Sequence, residues 1–218
     1  MIDFLTEVFI ETIKYPNKRL LLKKRIWVRG QNEILICSGD ILEEAFGKAN
    51  EKKIYVIPVN SSFDMILSNP EDAKQHVSEN SLHGKWLARI RKYYKVDLEQ
   101  AIQSEIDIRK YEADKKENYP LGTIVVRRMG ELYFYLLALS DFDENNMAHA
   151  SKEDFKNVIC KLLEFYDKNG QGYPIYIPLM GTGRSRINLS HKESLCIIKQ
   201  VLKDNTHMVH WTINLVIY

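Results

Sequence analysis

The feature that most constrains this chain is an alternation. Short segments rich in isoleucine, valine and tyrosine recur along it, and segments of helical periodicity separate the later ones. The strand-like segments are residues 26–29, 34–37, 54–59, 123–127, 133–139, 175–179 and 213–218. Several are apolar on both faces, the pattern of strands covered by helices on both sides of their sheet. Two helices are signalled at their ends. The first follows Ser151, carries Asp154 at the third position of a capping box, and stops at Gly170. Its Phe155, Val158, Ile159, Leu162, Leu163 and Tyr166 form one apolar stripe. The second follows Ser190 with Glu193 three residues on, and buries Ile197, Ile198 and Val201. Strand, helix, strand, helix, strand in this order predicts an α/β fold with neighbouring parallel strands joined by crossovers.

A length of 218 residues favours one globular domain with decorations. The expected division is an N-terminal helix or strand extension over 1–25 and an α/β domain over 26–218. Within that domain a polar helical insertion falls at about 71–118, with helices predicted over 82–95 and 98–116. A net charge of +2 gives no reason to expect nucleic acid or an anionic membrane as partner. The basic run Arg89–Lys95 mixes cations with tyrosines, and a solvated helix face explains it better than a nucleic-acid grip. Three scattered cysteines without C-x-x-C spacing fit free thiols in a reducing compartment, each packed as a small apolar side chain. No stretch approaches the about 20 apolar residues that span a bilayer, so the chain is expected to be cytoplasmic with no membrane segment of its own. A missing upstream effector or membrane segment stays open. His207 and His210 lie three apart without a cysteine or carboxylate beside them, so no metal site is expected.

Three segments run off strand ends into loops, the place where α/β sheets bind ligands. In Ile177-Pro178-Leu179-Met180-Gly181-Thr182-Gly183-Arg184 a strand meets two glycines, and a helix starts soon after. Glycine lets backbone N–H groups approach a ligand, and such a nest near a helix start suits a phosphate or diphosphate. Arg184 could add a charge-assisted bond; the plainer reading is a tight turn with a surface arginine. In Val59-Asn60-Ser61-Ser62-Phe63-Asp64 the Asn60 amide offers both donor and acceptor to ribose hydroxyls, or simply caps a turn. In Cys37-Ser38-Gly39-Asp40-Ile41 the Asp40 carboxylate could accept from an exocyclic amine, or serve as N-cap to a helix from Leu42.

Taken together, the order and spacing of these segments resemble the macro domain, a three-layer α/β/α module that binds ADP-ribose. Gly39-Asp40-Ile41 is similar to the family's G-D-I, Val59–Phe63 to V-N-A-A-N, and Pro178–Gly183 to P-x-x-G-T-G. The resemblance spans about 26–218 and implies a mixed sheet between helical layers, with the helical insertion as an outlier. It implies that Asp40 and the Ile41 N–H hold adenine, and that Met180, Gly181, Thr182, Gly183 and Arg184 wrap the diphosphate. Asn60, Ser61, Ser62 and Phe63 are then placed by the distal ribose. An alanine at 40 is expected to weaken adenine nucleotides with little change in stability.

Two departures matter. Phe63 stands where the family's hydrolases carry a second asparagine, and no glycine run follows. The nearest substitute, Asn80-Ser81-Leu82-His83-Gly84, opens the insertion and resembles the macro domains of bacterial Thoeris antiphage defence. That resemblance adds Ser81, Leu82, His83 and Gly84 to the site, with His83 either contacting the ligand's distal end or lying on a helix surface. It implies a sensor for an ADP-ribose-like signal made by a TIR-domain enzyme, with no catalytic residue, metal or cofactor of its own. The alternative is an ADP-ribosyl hydrolase, for which Asp64 is the conceivable base. The group beyond the distal ribose and any self-association into homo-oligomers stay open.

Overall fold

The computed structural model describes residues 22–47, 51–65, 67, 77–94, 119–142, 148–183 and 187–217. The predicted helix over 98–116, the extension up to residue 21, and Arg184 lie outside the described residues. Among the described residues eight strands form: β1 (Leu22–Arg29), β2 (Asn32–Ser38), β3 (Lys53–Asn60), β4 (Ile124–Met129), β5 (Leu132–Phe142), β6 (Ala148–His149), β7 (Ile175–Pro178) and β8 (Ile213–Ile217). Among the described residues four α-helices accompany them: α1 (Ile41–Phe46), α2 (Leu82–Tyr94), α3 (Lys152–Asn169) and α4 (His191–Asp204). The seven strands expected from sequence are all present, and β1 starts early enough to cross the boundary placed at residue 25.

The strands line up as β1-β2-β8-β7-β3-β5-β4, with the two-residue β6 paired to the far end of β5. The five central strands are mutually parallel, and β1 and β4 close the two edges antiparallel. Along the C-terminal third, β7 and β8 are parallel neighbours as expected, but β5 and β7 are not. β3 lies between them and pairs with both. Its run Ile54–Val59 is buried on both sides of the pleat, which equips it for a central place rather than an edge.

Alternation along the strands divides the core. Ile54 and Val56 of β3 face the layer of α3 and α4, with Leu162, Leu163, Ile198 and Leu202. Tyr55, Ile57 and Val59 face the opposite layer, where Leu42, Trp86, Leu87 and Ile90 come from α1 and α2. The six-residue stripe predicted for α3 is buried as read, and both predicted capping boxes form, Ser151 with Asp154 and Ser190 with Glu193. The cysteines divide: Cys37 is buried, Cys160 is intermediate and Cys196 is exposed, so the expectation that each packs inside holds only for the first. Cys196 falls on the outer face of α4, away from its Leu195 and Ile198 side. Burial raises the Cys37 thiol to about 11, so it stays protonated at neutral pH.

Candidate functional site

All five parallel strands end at one edge of the sheet, and the three segments singled out in the sequence leave from it. The Asp40 segment follows β2, the glycine segment follows β7, and the Asn60 segment follows β3. Their order across the edge is Asp40, glycines, Asn60, because β8 and β7 lie between β2 and β3. Three strand spacings separate the outer two, about 14 Å. From β7 the chain returns by α4 to β8, on the β2 side; from β3 it proceeds to β4 and β5 on the other. The loops therefore diverge between β7 and β3, and such a divergence opens the crevice where α/β sheets hold ligands.

The Asp40 end is fixed by hydrogen bonds. The Gly39 N–H donates to the Ile217 carbonyl at 3.0 Å, and Gly39 takes a φ of 137°, outside the usual range of side-chain-bearing residues. Asp40 Oδ1 accepts from the N–H groups of Leu42 at 2.7 Å and Glu43 at 3.4 Å. Asp40 is thus the N-cap of α1, and neither cap bond uses its Oδ2. The Ile41 side chain is buried, and its N–H is the first of α1, a position with no acceptor within the helix. Alanine at 40 therefore removes a helix cap, against the expectation of little change in stability.

The glycine segment hangs from α4. Met180 is buried, its carbonyl accepts the Ser194 hydroxyl, and the Gly181 carbonyl accepts from the Leu189 N–H at 3.3 Å. Gly181 has φ 80°, which favours glycine, and a Cβ there would stand 3.0 Å from the Leu189 Cδ1 atom, so that side chain would have to give by a few tenths of an ångström. Gly183 is exposed, with open space where a Cβ would be. Among the described residues, nothing accepts from the N–H groups of Gly181, Thr182 and Gly183. A strand-end turn with unspent donors can serve as an anion cradle where those N–H groups converge.

The Asn60 segment is a closed turn. The Asn60 Nδ2 donates to Asp64 Oδ2 at 2.8 Å, and the Asp64 N–H donates back to Asn60 Oδ1 at 3.0 Å. Ser61 is fully buried: its hydroxyl donates to Asp141 Oδ1 at 2.7 Å and its N–H to the Ser140 carbonyl at 2.9 Å. It secures the loop and reaches a ligand only if that hydroxyl lets go of Asp141. Ser62 is half-buried. Phe63 is buried at φ 55°, with its ring edge-on to Tyr119 at 5.7 Å. The left-handed region tolerates asparagine and is an outlier for a bulky side chain, so Phe63 carries strain that its surroundings must hold.

Serine 81 and its followers start α2. The Ser81 hydroxyl donates to the Ser78 carbonyl at 2.6 Å and accepts from the Gly84 N–H at 3.0 Å. A Cβ on Gly84 would stand 2.1 Å from the Ser78 carbonyl oxygen, so this helix start and the turn before it admit only glycine. Leu82 packs against the α1/α2 side of the core. His83 is buried, not on the surface, and among the described residues its Nε2 and the neighbouring Trp86 Nε1 have no hydrogen-bond partner. Burial lowers the His83 imidazole to about 3, so the ring is neutral at physiological pH. The basic run that follows serves the fold: Arg89 pairs with Glu43, and Arg91 Nη2 donates to the Met65 carbonyl at 2.9 Å. That second bond ties α2 to the residue after Asp64.

A family model described as the macro domain of the Thoeris protein ThsA matches residues 34–218. The chain belongs to the ThsA macro-domain family. Among solved structures, an aspartate-to-alanine mutant of the Oceanobacillus iheyensis macrodomain is similar at 14% identity and a TM-score of 0.57, covering 91% of this chain and 90% of that one. An asparagine-to-alanine mutant of the same macrodomain has 14% identity and a TM-score of 0.58, covering 93% and 88%. The same macrodomain with ADP has 14% identity and a TM-score of 0.51, covering 90% and 88%. No curated protein matches this chain.

Several residues of this ThsA-type macro domain escaped the sequence reading. Asp141 joins Ser61 only through the pairing of Asn60 with Ser140, a register that spacing along the chain does not carry. Ser194 was hidden inside a helix whose apolar stripe drew attention elsewhere. Trp86 reads as ordinary core, and only its orphaned ring nitrogen sets it apart. Among the described residues no group of three or more His, Cys, Asp or Glu could hold a metal ion, and no helix is long and apolar enough to cross a membrane.

Proposed function

We propose that this macro domain binds an ADP-ribose-derived nucleotide and acts as the sensor module of a bacterial, cytoplasmic Thoeris-type antiphage defence system. The observation that carries the reading is the order of the three loops along one sheet edge. An acceptor carboxylate, a turn with unspent N–H donors and an amide follow one another as adenine, diphosphate and distal ribose do in ADP-ribose. The similar macrodomain with ADP, an adenine diphosphate, is consistent with that assignment. Adenine then meets Asp40 Oδ2 and the Ile41 N–H, the diphosphate lies on Gly181, Thr182 and Gly183 with Arg184 beside it, and the distal ribose faces Asn60, Ser62 and Phe63. The Ser81–Gly84 turn stands behind that end, with His83 as its one side chain holding an unfilled polar atom. No cofactor or metal is assigned, and a TIR-domain enzyme is the source of the signal.

Hydrolysis is the second reading. Asp64 is its candidate base: Oδ2 holds the Asn60 amide, which leaves Oδ1 for a proton. Titration calorimetry with ADP-ribose, NAD and AMP, followed by mass spectrometry of the same samples, separates the two. A sensor binds ADP-ribose in the micromolar range or tighter, favours it over AMP and returns it intact. Loss of binding to all three, and to ADP-ribose conjugates made by TIR enzymes, would reduce the Gly181–Gly183 turn to a structural one.

A further inference from the structure

The Asn60–Asp64 pair fixes more than a turn. A backbone N–H can only donate, so the Asp64 N–H requires the amide oxygen of Asn60 on its side. A carboxylate can only accept, so Asp64 Oδ2 requires the amide nitrogen on its side. Rotating the amide by half a turn would set oxygen against oxygen and N–H against N–H. Both bonds therefore select the same orientation, and the ambiguity that attends most asparagine side chains is absent here. Asn60 is 9% exposed, so little water is at hand to offset a lost bond. Phe63 lies inside the same turn, its N–H donating to the Asn60 carbonyl at 3.1 Å, and its strained φ of 55° is held by the closure around it.

We propose that Asp64 is a positioning and specificity-determining residue: it locks the Asn60 amide so that one N–H remains for an oxygen of the ligand's distal ribose. This inference rests on the ADP-ribose reading above. Selectivity for a ligand with a distal ribose then depends on a side chain that need not touch it. The locked amide favours an acceptor oxygen at that point, and an unlocked one can turn either way and loses the preference. Asp64 is thereby a fixed support for recognition, which explains a carboxylate beside the ribose in a module that leaves its ligand whole.

The experiment compares ADP-ribose with ADP, which differs by lacking the distal ribose, on wild type, Asp64→Leu and Asp64→Asn. Asparagine at 64 keeps an acceptor oxygen for Asn60 Nδ2 and the same backbone N–H, so it should restore the lock. The expected result is a loss of roughly three- to tenfold in ADP-ribose affinity for Asp64→Leu, the span of one net hydrogen bond, with ADP affinity unchanged and Asp64→Asn near wild type. Should Asp64→Leu fail to fold, Asp64→Glu displaces the carboxylate by one methylene and reads the same preference. Equal losses for both ligands would make Asp64 merely structural and overturn the proposal, as would an unchanged ratio. Wild type that binds ADP but gains nothing from the added ribose overturns this inference while leaving the adenine and diphosphate assignments standing. Wild type that binds neither ligand, nor an ADP-ribose conjugate made by a TIR enzyme, removes the parent reading and this one together.

Discussion

The two helical layers of this macro domain are built to different standards. The α3/α4 side is long-helical and mostly aliphatic around the rings of Tyr135, Phe155 and Tyr166, with both helices opened by a reciprocal capping box; of the expected stripes only Ile197 is half-buried rather than buried. The α1/α2 side has a six-residue helix and a core of aromatic rings, among them Tyr55, Trp86, Phe134 and Tyr176. It also holds a buried phenylalanine at positive φ, a glycine wedged against a carbonyl and, among the described residues, two buried ring nitrogens without partners. Among the described residues other than glycine, the α3/α4 side has positive φ only at Gln171 and Asn188, polar residues outside its helices. On the proposed reading, stability and recognition divide between the faces, and the sharper departures fall where the ligand is proposed to lie.

The largest test of that division is a pair of substitutions. Leu162→Ala, fully buried on α3, should lose about 2–5 kcal/mol in denaturant unfolding and leave the ADP-ribose affinity of the folded protein as it was. Gly84→Ala forces a Cβ into the Ser78 carbonyl and should cost about 1–3 kcal/mol as overpacking does, while also weakening ADP-ribose. Should Gly84→Ala lose stability alone, the start of α2 belongs to the scaffold and the division must be redrawn.

Acid separates the faces next. His83 is pushed down by burial from 6.5 to about 3, so the unfolded chain binds the extra proton and stability falls as pH drops from 6.5 toward 3. The slope reaches at most about 1.4 kcal/mol per pH unit from this group, and His83→Leu should remove that part of it in unfolding measured at stepped pH. On the other face, the Ser190 backbone N–H and then Lys152 hold Glu193 down to about 2. Its contribution is present above 4.5 and fades only below that value. The α1/α2 side should therefore loosen first on acidification, and wild type and His83→Leu converging at every pH would break the contrast.

The smallest effects concern caps. Ser190→Ala should cost about 1 kcal/mol of thermal stability and nothing in binding. Asp40→Ala should cost a similar amount, about 1 kcal/mol, and also weaken adenine nucleotides. Asp40→Asn keeps the cap, so calorimetry should show the binding loss alone. Equal binding by wild type and Asp40→Asn would leave Asp40 as a cap and no more.

How legible each face was in the sequence follows from the same contrast. The α3/α4 layer was readable because its information is local: Ser151-x-x-Asp154, Ser190-x-x-Glu193, and apolar residues at helical spacing. The order of the strands was less so. Nothing local says that β3 enters between β5 and β7, since that depends on which strand can bear burial on both faces along its whole length. Of the site, the Asp40, Asn60 and Gly181–Gly183 segments were visible as strand ends rich in turn residues. Their partners were not. Asp40 reads equally as a ligand or a cap until its bond to Leu42 is seen, and nothing local marks Ser81 as holding the Gly84 N–H. His83 was placed at a helix start without any sign that the start is buried, because burial there comes from the turn at Ser78 and from Trp86 one turn on.

The position of β8 has a consequence in time. It is the last strand of the described chain and sits inside the sheet, joining β2 to β7, with Cys37 and Asn214 in contact although they lie 177 residues apart. On a ribosome β2 emerges early and then waits for β8, roughly 10–35 s at ordinary elongation rates. Until then the Asp40 loop lacks the Ile217 carbonyl that holds Gly39. The edge where the ligand is proposed to lie is thus completed by a strand made long after β2, and a nascent fragment ending before β8 cannot hold the Asp40 loop beside the glycine turn.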